Sequence, residues 1–216
     1  MEARTVLFLA ILASLLLFPL RPLGSTGFLP DAHAALDVPN PSITLKANIS
    51  GWNFSQPSGT NPTISSAFLF PGQNLTSTAS SVDGVSHSLA FYQPGTTSSQ
   101  VSLSNTCAAG NVCLARVMIS SSGAPSTLKF AFPSSQTFEL YCEFHPTTMH
   151  SQVFVYRSPD LNGDHKVNII DLVGVALAFG STPTSSNWNP NADLNRDNTV
   201  SIIDLVIVAV NFGRTV

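Results

Sequence analysis

Two copies of one acidic pattern constrain this chain more than any other feature. Asp160-Leu-Asn162-Gly-Asp164-His-Lys166-Val-Asn168-Ile-Ile-Asp171 returns as Asp193-Leu-Asn195-Arg-Asp197-Asn-Thr199-Val-Ser201-Ile-Ile-Asp204. Oxygen-bearing side chains at positions 1, 3, 5, 9 and 12, with a backbone carbonyl from position 7, are how a short loop encloses calcium. Position 7 is Lys166 in the first copy and Thr199 in the second. Position 6, which needs a positive φ, is His165 or Asn198, both of types enriched among non-Gly residues in that region. Every acid after Pro159 falls on a ligand position, and carboxylates so crowded repel one another unless cations neutralise them. Two calcium ions are therefore expected. Each copy runs on into an apolar stretch ending in Phe-Gly, at Phe179-Gly180 and Phe212-Gly213. Leu205 to Val210 favours a strand by propensity. The loop geometry, with Asp171 and Asp204 placing negative charge in a first turn, instead predicts a helix after each loop. Val173, Val175, Leu177, Val206, Val208 and Val210 make these helices apolar on almost every face, so part of that surface is expected to be covered.

This tandem arrangement resembles a dockerin domain, with Asp at position 12 as dockerins favour. The resemblance implies a small α domain over residues 158–216, with paired EF-hand-like calcium loops, and a cohesin-like β-sandwich protein as partner. Ile-Ile stands at positions 10 and 11 of both loops, where many dockerins carry polar recognition residues. That departure leaves the chain's own preceding domain as the rival occupant of the helices. Residues 181–192 read as a connector, with Trp188 as its packing anchor.

Between Ser42 and Tyr156 the sequence reads as short strands punctuated by turns. Ile43 to Ala47 alternates apolar and polar, as do parts of 86–92, 126–132 and 136–141. Pro71-Gly72-Gln73, Asp83-Gly84, Gln93-Pro94-Gly95 and Ser122-Gly123 supply turns. Strands at this spacing predict an antiparallel sandwich or barrel.

The chemistry sits late in this stretch, in Tyr141-Cys142-Glu143-Phe144-His145-Pro146-Thr147-Thr148-Met149. A thiolate, an imidazole and a thioether this close together suit copper, Cu(I) especially. His87, on an upstream strand after a turn, offers the second imidazole. The set His87, Cys142, His145 and Met149 resembles that of the cupredoxins, the small type 1 blue copper proteins. By that resemblance, residues 42–157 are a Greek-key β-sandwich holding one copper ion. His87, Cys142 and His145 are then the equatorial ligands and Met149 the axial one, and Phe144 and Pro146 form an apolar rim around His145. Ser88 stands where many members have Asn. His150, beside the axial position, is expected to face solvent, with a metal contact as the alternative.

Export is read from the N-terminus. Arg4 precedes an apolar run from Val6 to Leu20, which is short of the ~20 residues that span a bilayer. Ala32-His33-Ala34 supplies a small-residue cleavage pattern. Residues 1–34 are thus expected to be a signal peptide and 35–41 a linker; an uncleaved segment would make an N-terminal membrane anchor. The location implied is secreted or cell surface. Of three cysteines, Cys107 and Cys113 are placed to close a small disulfide loop, with two buried thiols as the alternative. Triplets for N-glycosylation begin at Asn48, Asn53 and Asn74.

Nine Lys and Arg in a chain of net charge −3 leave no basic surface for nucleic acid. Outside the calcium loops and the leader the acids reduce to Asp37, Asp83, Glu139 and Glu143, which form no catalytic pair. The chain is therefore expected to be no enzyme but an exported electron carrier with a redox partner protein. The alternatives are a copper scavenger and a structural adhesion module.

Overall fold

Residues alternating in and out of a core build the first long strand, β2 (Ser42–Asn48), where Ile43, Leu45 and Ala47 point inward. The computed structural model describes residues 36–37, 41–55, 58–61, 63–64 and 69–216; the expected signal segment lies outside them. A two-residue strand β1 (Leu36–Asp37) precedes β2. After it come β3 (Gly51–Ser55), β4 (Ser58–Thr60), β5 (Asn74–Ser81), β6 (His87–Tyr92) and β7 (Cys113–Ile119). The series continues with β8 (Ser126–Ala131), β9 (Thr137–Tyr141) and β10 (His150–Phe154).

These strands form a five-stranded sheet in the order β4-β3-β2-β5-β8 and a four-stranded sheet in the order β10-β9-β6-β7. Only β2 and β5 run parallel among the pairs of these two sheets; the rest are antiparallel. Leu45, Trp52, Phe54 and Leu75 of one sheet share a buried core with Leu89, Phe91, Phe138, Leu140 and Val153 of the other. Phe132 fills its centre, with ring centroids 4.7 Å from Phe138 and 5.1 Å from Phe91. The protein is mainly β, as expected.

β6 departs from simple alternation, because every residue from His87 to Tyr92 is buried. Its second face, Ala90 and Tyr92, packs with Val101, Cys113 and Tyr141 in a separate cluster. The Cys107–Cys113 disulfide is formed and ties the segment that covers this face.

Beyond the sandwich, α1 (Ile169–Leu177) and α2 (Ile202–Val210) follow the two acidic repeats. Asn168 and Ser201 cap them, accepting from the amides of Ile170 and Ile203, while Asp171 and Asp204 complete capping boxes. Those caps explain how β-branched runs become helices: the first turn is hydrogen-bonded before propensity is consulted. Val167, Val175, Leu194, Val200, Ile207 and Val208 make the core of this part, with Trp188 packed against it. A last short strand, β11 (Arg214–Thr215), pairs with β1.

Ala35–Val216 packs as one unit. Phe70 and Tyr156 of the sandwich join the helical core, and the Arg157 amide donates to the Leu194 carbonyl at 3.0 Å. The Arg196 guanidinium lies 4.2 Å from the Phe154 ring centroid, and Arg157 pairs with the Asp193 carboxylate at 3.6 Å. The helices themselves leave Ile169, Ile170, Val173, Ile202, Ile203 and Val206 exposed. The sandwich is met through the second acidic loop and by Phe70 and Tyr156 at the helical core, while those six side chains stay exposed.

Burial, followed by the hydrogen bond to Glu143, pushes the Tyr92 phenol up to about 12. Burial also raises Tyr141 and Tyr156. An unfolded tyrosine ionises near pH 10, so above that pH the unfolded chain loses protons that the folded chain keeps, and stability must fall. Denaturant midpoints should hold steady up to about pH 9 and decline from about pH 10 upward. A Tyr92→Phe variant should show a smaller decline.

Candidate metal centre

The site is built where β9 and β10 separate. These strands pair with His150 opposite Tyr141, and the next rung is the Cys142 amide donating to the Met149 carbonyl at 3.0 Å. Residues 142–149 therefore form a loop closed by its own end residues. Inside it, the His145 amide donates to the Cys142 carbonyl at 3.1 Å and the Met149 amide to the His145 carbonyl at 2.9 Å. Both sulfur-bearing side chains are fully buried in the sandwich core, while His145, at the turn, reaches the rim.

His87 arrives from the neighbouring strand β6 and is fully buried. Its Nδ1 and the Nδ1 of His145 each lie 3.7 Å from the Cys142 Sγ. The donor atoms of the three residues fall within 4.8 Å of one another. Bonds of about 2.1 Å to nitrogen and 2.3 Å to sulfur, spread in a plane around one centre, would place N and S about 3.8 Å apart. These residues therefore fit a soft metal ion. Burial, then the neighbouring His87, pushes the His145 imidazole below its usual range, toward the neutral form a ligand needs.

The Ser88 amide points its N–H at the Sγ from 3.4 Å, so the sulfur contact comes from backbone and does not depend on the side chain there. The Ser88 hydroxyl instead accepts from the Glu143 amide at 2.8 Å. Glu143, buried beside Cys142, receives the Tyr92 hydroxyl at 2.7 Å and Arg116 Nη1 at 3.0 and 3.1 Å. Asp83 meets His87 Nε2 at 3.0 Å. Burial opposes charge on Asp83, but hydrogen bonds from His87, Val85, Ile49 and Ser81 outweigh it and hold the carboxyl well below the usual range.

Sequence reasoning treated Asp83 as a turn residue and Glu143 as a leftover acid. The available signal was spacing: Asp83 is four residues before His87 across a Gly-containing turn, and Glu143 adjoins Cys142. His150 keeps 39% of its side chain exposed, on the solvent side of β10. It stacks on Tyr141 with ring centroids 4.2 Å apart and contacts Glu139 at 2.6 Å. Phe144 is exposed and Pro146 half-buried beside His145.

The acidic repeats fold as matching loops. Asp160 accepts from the amides of Gly163, Asp164 and His165; Asp193 accepts from those of Asp197 and Asn198. Asp171 and Asp204, both fully buried, turn back to the amides of Leu161 and Leu194 at 2.7 and 2.8 Å. His165 and Asn198 have φ of 64° and 66°. Asn162 and Asn195 each donate to the position-5 aspartate, at 3.0 and 2.8 Å. Lys166 and Thr199 donate their amides to Asp164 and Asp197 at 2.9 and 2.8 Å, and Asn168 and Ser201 are the helix caps. Burial raises the Asp193 carboxyl above its usual range despite these donors, so a nearby cation would stabilise its charged form. The all-oxygen donor set suits calcium.

Residues 158–212 match the family model of the dockerin type I domain. No curated protein matches the chain. Solved structures similar to it include auracyanin A, a blue copper protein from Chloroflexus aurantiacus, at 14% identity and TM-score 0.39, covering 53% of this chain and 97% of that one. Reduced auracyanin from Roseiflexus castenholzii is 17% identical at TM-score 0.38, with 53% and 95% covered. Rusticyanin from Thiobacillus ferrooxidans is 15% identical at TM-score 0.36, with 53% and 75% covered.

Calcium removal should open the helical core around Val175 and Ile207 and leave the sandwich core closed, because the two are separate clusters. The protein has two tryptophans, Trp52 in the sandwich core and Trp188 at the helical core, so each part carries its own reporter. In Trp188→Phe, chelation should leave the Trp52 emission unchanged, and the difference from the parent should show Trp188 shifting to the red. Movement of both reporters would mean that the parts unfold together, and movement of neither that the loops stand without calcium.

Proposed function

We propose that this chain is an exported type 1 copper protein that carries electrons, with residues 42–157 as the redox domain and residues 158–216 as a calcium-loaded docking module. The observation that carries the reading is the convergence of His87, Cys142 and His145, with donor atoms within 4.8 Å of one another and the first two side chains buried. Copper, when bound, supplies the one-electron couple. The chain's own part is to keep the donors in place in both oxidation states. Cys142 is held by its rung to Met149 and by the Ser88 amide of β6, and His87 by its pairing with Ile119 of β7 and by Asp83, so little has to move when charge changes. Met149, fully buried in the same core cluster as Cys142, would supply a thioether donor and keep water from that side. His145 at the rim, beside exposed Phe144, is the edge through which a redox partner protein exchanges electrons.

The export reading rests on Arg4 and the apolar run from Val6 to Leu20, and the Cys107–Cys113 disulfide suits an oxidising compartment. Two calcium ions, bound by Asp160, Asn162, Asp164, Lys166, Asn168 and Asp171 and by their equivalents in the second loop, hold the module for a cohesin-like partner. An electron carrier is coloured when oxidised, whereas a scavenger holding Cu(I) is colourless.

Adding one equivalent of Cu(II) should produce intense visible absorption from sulfur-to-copper charge transfer. Cys142→Ser should abolish that band while circular dichroism keeps the β signature; an unchanged band would overturn the assignment. Met149→Gln should keep the colour but lower the midpoint potential, because a harder oxygen donor favours Cu(II). An unchanged potential would remove Met149 from the metal.

A further inference from the structure

We propose that Asp83 is a positioning residue of the copper site: its carboxylate holds His87 with the proton on Nε2, leaves Nδ1 for the metal, and biases the site toward Cu(II). The inference rests on the copper reading above and adds to it a residue that sets the potential.

Asp83 lies in the connection from β5 to β6, where the chain passes from the five-stranded to the four-stranded sheet. Gly84, with φ of 74°, makes the turn that brings the carboxylate back over the first residue of β6. Both oxygens are engaged. Oδ2 accepts from the Ile49 amide at 2.8 Å, and Oδ1 accepts from the Val85 amide and the Ser81 hydroxyl, each at 3.0 Å. The side chain is thereby fixed from β5, from the turn after β2 and from its own turn, with only 21% of it exposed. The atom these bonds aim is Oδ1, which lies 3.0 Å from Nε2 of the fully buried His87.

An ionised carboxylate can only accept, so the proton between them belongs to Nε2. Nδ1 then carries the lone pair, and it is Nδ1 that faces the Cys142 Sγ at 3.7 Å. A carboxylate behind a ligating imidazole fixes the ring's tautomer and orientation and raises its basicity. A more basic, harder nitrogen stabilises Cu(II) more than Cu(I). A purely structural aspartate, bracing the turn through Ile49 and Val85, would affect both oxidation states alike and leave the potential where it was.

Two measurements test this. In the metal-free wild-type protein, nitrogen-15 shifts of His87 should report a protonated Nε2 and a bare Nδ1; the opposite tautomer would overturn the proposal without any reference to copper. In copper-loaded Asp83→Asn, Cu(II) affinity should fall at least about tenfold, in the range for such supporting residues, with Cu(I) affinity less changed. The midpoint potential should rise by about 59 mV for each tenfold difference between the two states. A folded variant with the wild-type potential would overturn the proposal. A wild-type protein that binds no copper would strike the copper reading itself, and the tautomer would still decide whether Asp83 positions His87.

Discussion

The hydrogen bond from the Cys142 amide to the Met149 carbonyl, at 3.0 Å, is the constraint on which the candidate site depends. It extends the β9–β10 ladder by one rung into the loop, so that the loop's first and last residues are held as if they belonged to the sheet. Both sulfur side chains then have to enter the sandwich core, and the imidazole between them has to leave it. A site made this way takes its rigidity from the packed sheets and not from a metal. That is the property a one-electron centre needs, because donors that stay put let either oxidation state form without rearrangement.

Placing charge beside such a core requires partners. Glu143 is buried next to Cys142, and it is tolerated because Arg116 and Tyr92 pair its carboxylate and the Ser88 hydroxyl accepts from its amide. Asp83 follows the same logic beside His87, with both of its oxygens engaged. The second acidic loop does something comparable at the far end of β10. There Asp193 pairs with Arg157, and Arg196 covers Phe154. A five-residue strand separates Met149 from that contact, roughly 17 Å at an extended rise. The attachment point and the His145 rim therefore sit toward opposite ends of one strand.

The fold was legible where side chains alternate strongly. β2, β8 and β9 follow from Ile43-Leu45-Ala47 and their counterparts. β5 did not show itself, because its inward positions are Leu75, Ser77, Ala79 and Ser81, too small and too hydroxylated to make an apolar rhythm. β7 was hidden for the opposite reason: Cys113 and Leu114 are both buried, on opposite faces, so no alternation remains. The ligand-type residues could be read because the chemistry of Cys, His and Met at short spacing is rare. The residues that support them could not, since an aspartate at a turn and a glutamate beside a cysteine carry no signal until the sheets bring them to His87 and Arg116. The two helices were legible only by letting the repeated loop overrule the strand propensity of Ile and Val, which the caps at Asn168 and Ser201 justify.

X-ray absorption at the copper edge, on the loaded full-length protein in both oxidation states, tests the central claim most directly. A preformed site predicts one short sulfur bond and two nitrogen bonds in the oxidised protein, with the same donors and nearly the same distances after reduction. Loss of a nitrogen donor on reduction, or a coordination shell without sulfur, would contradict it.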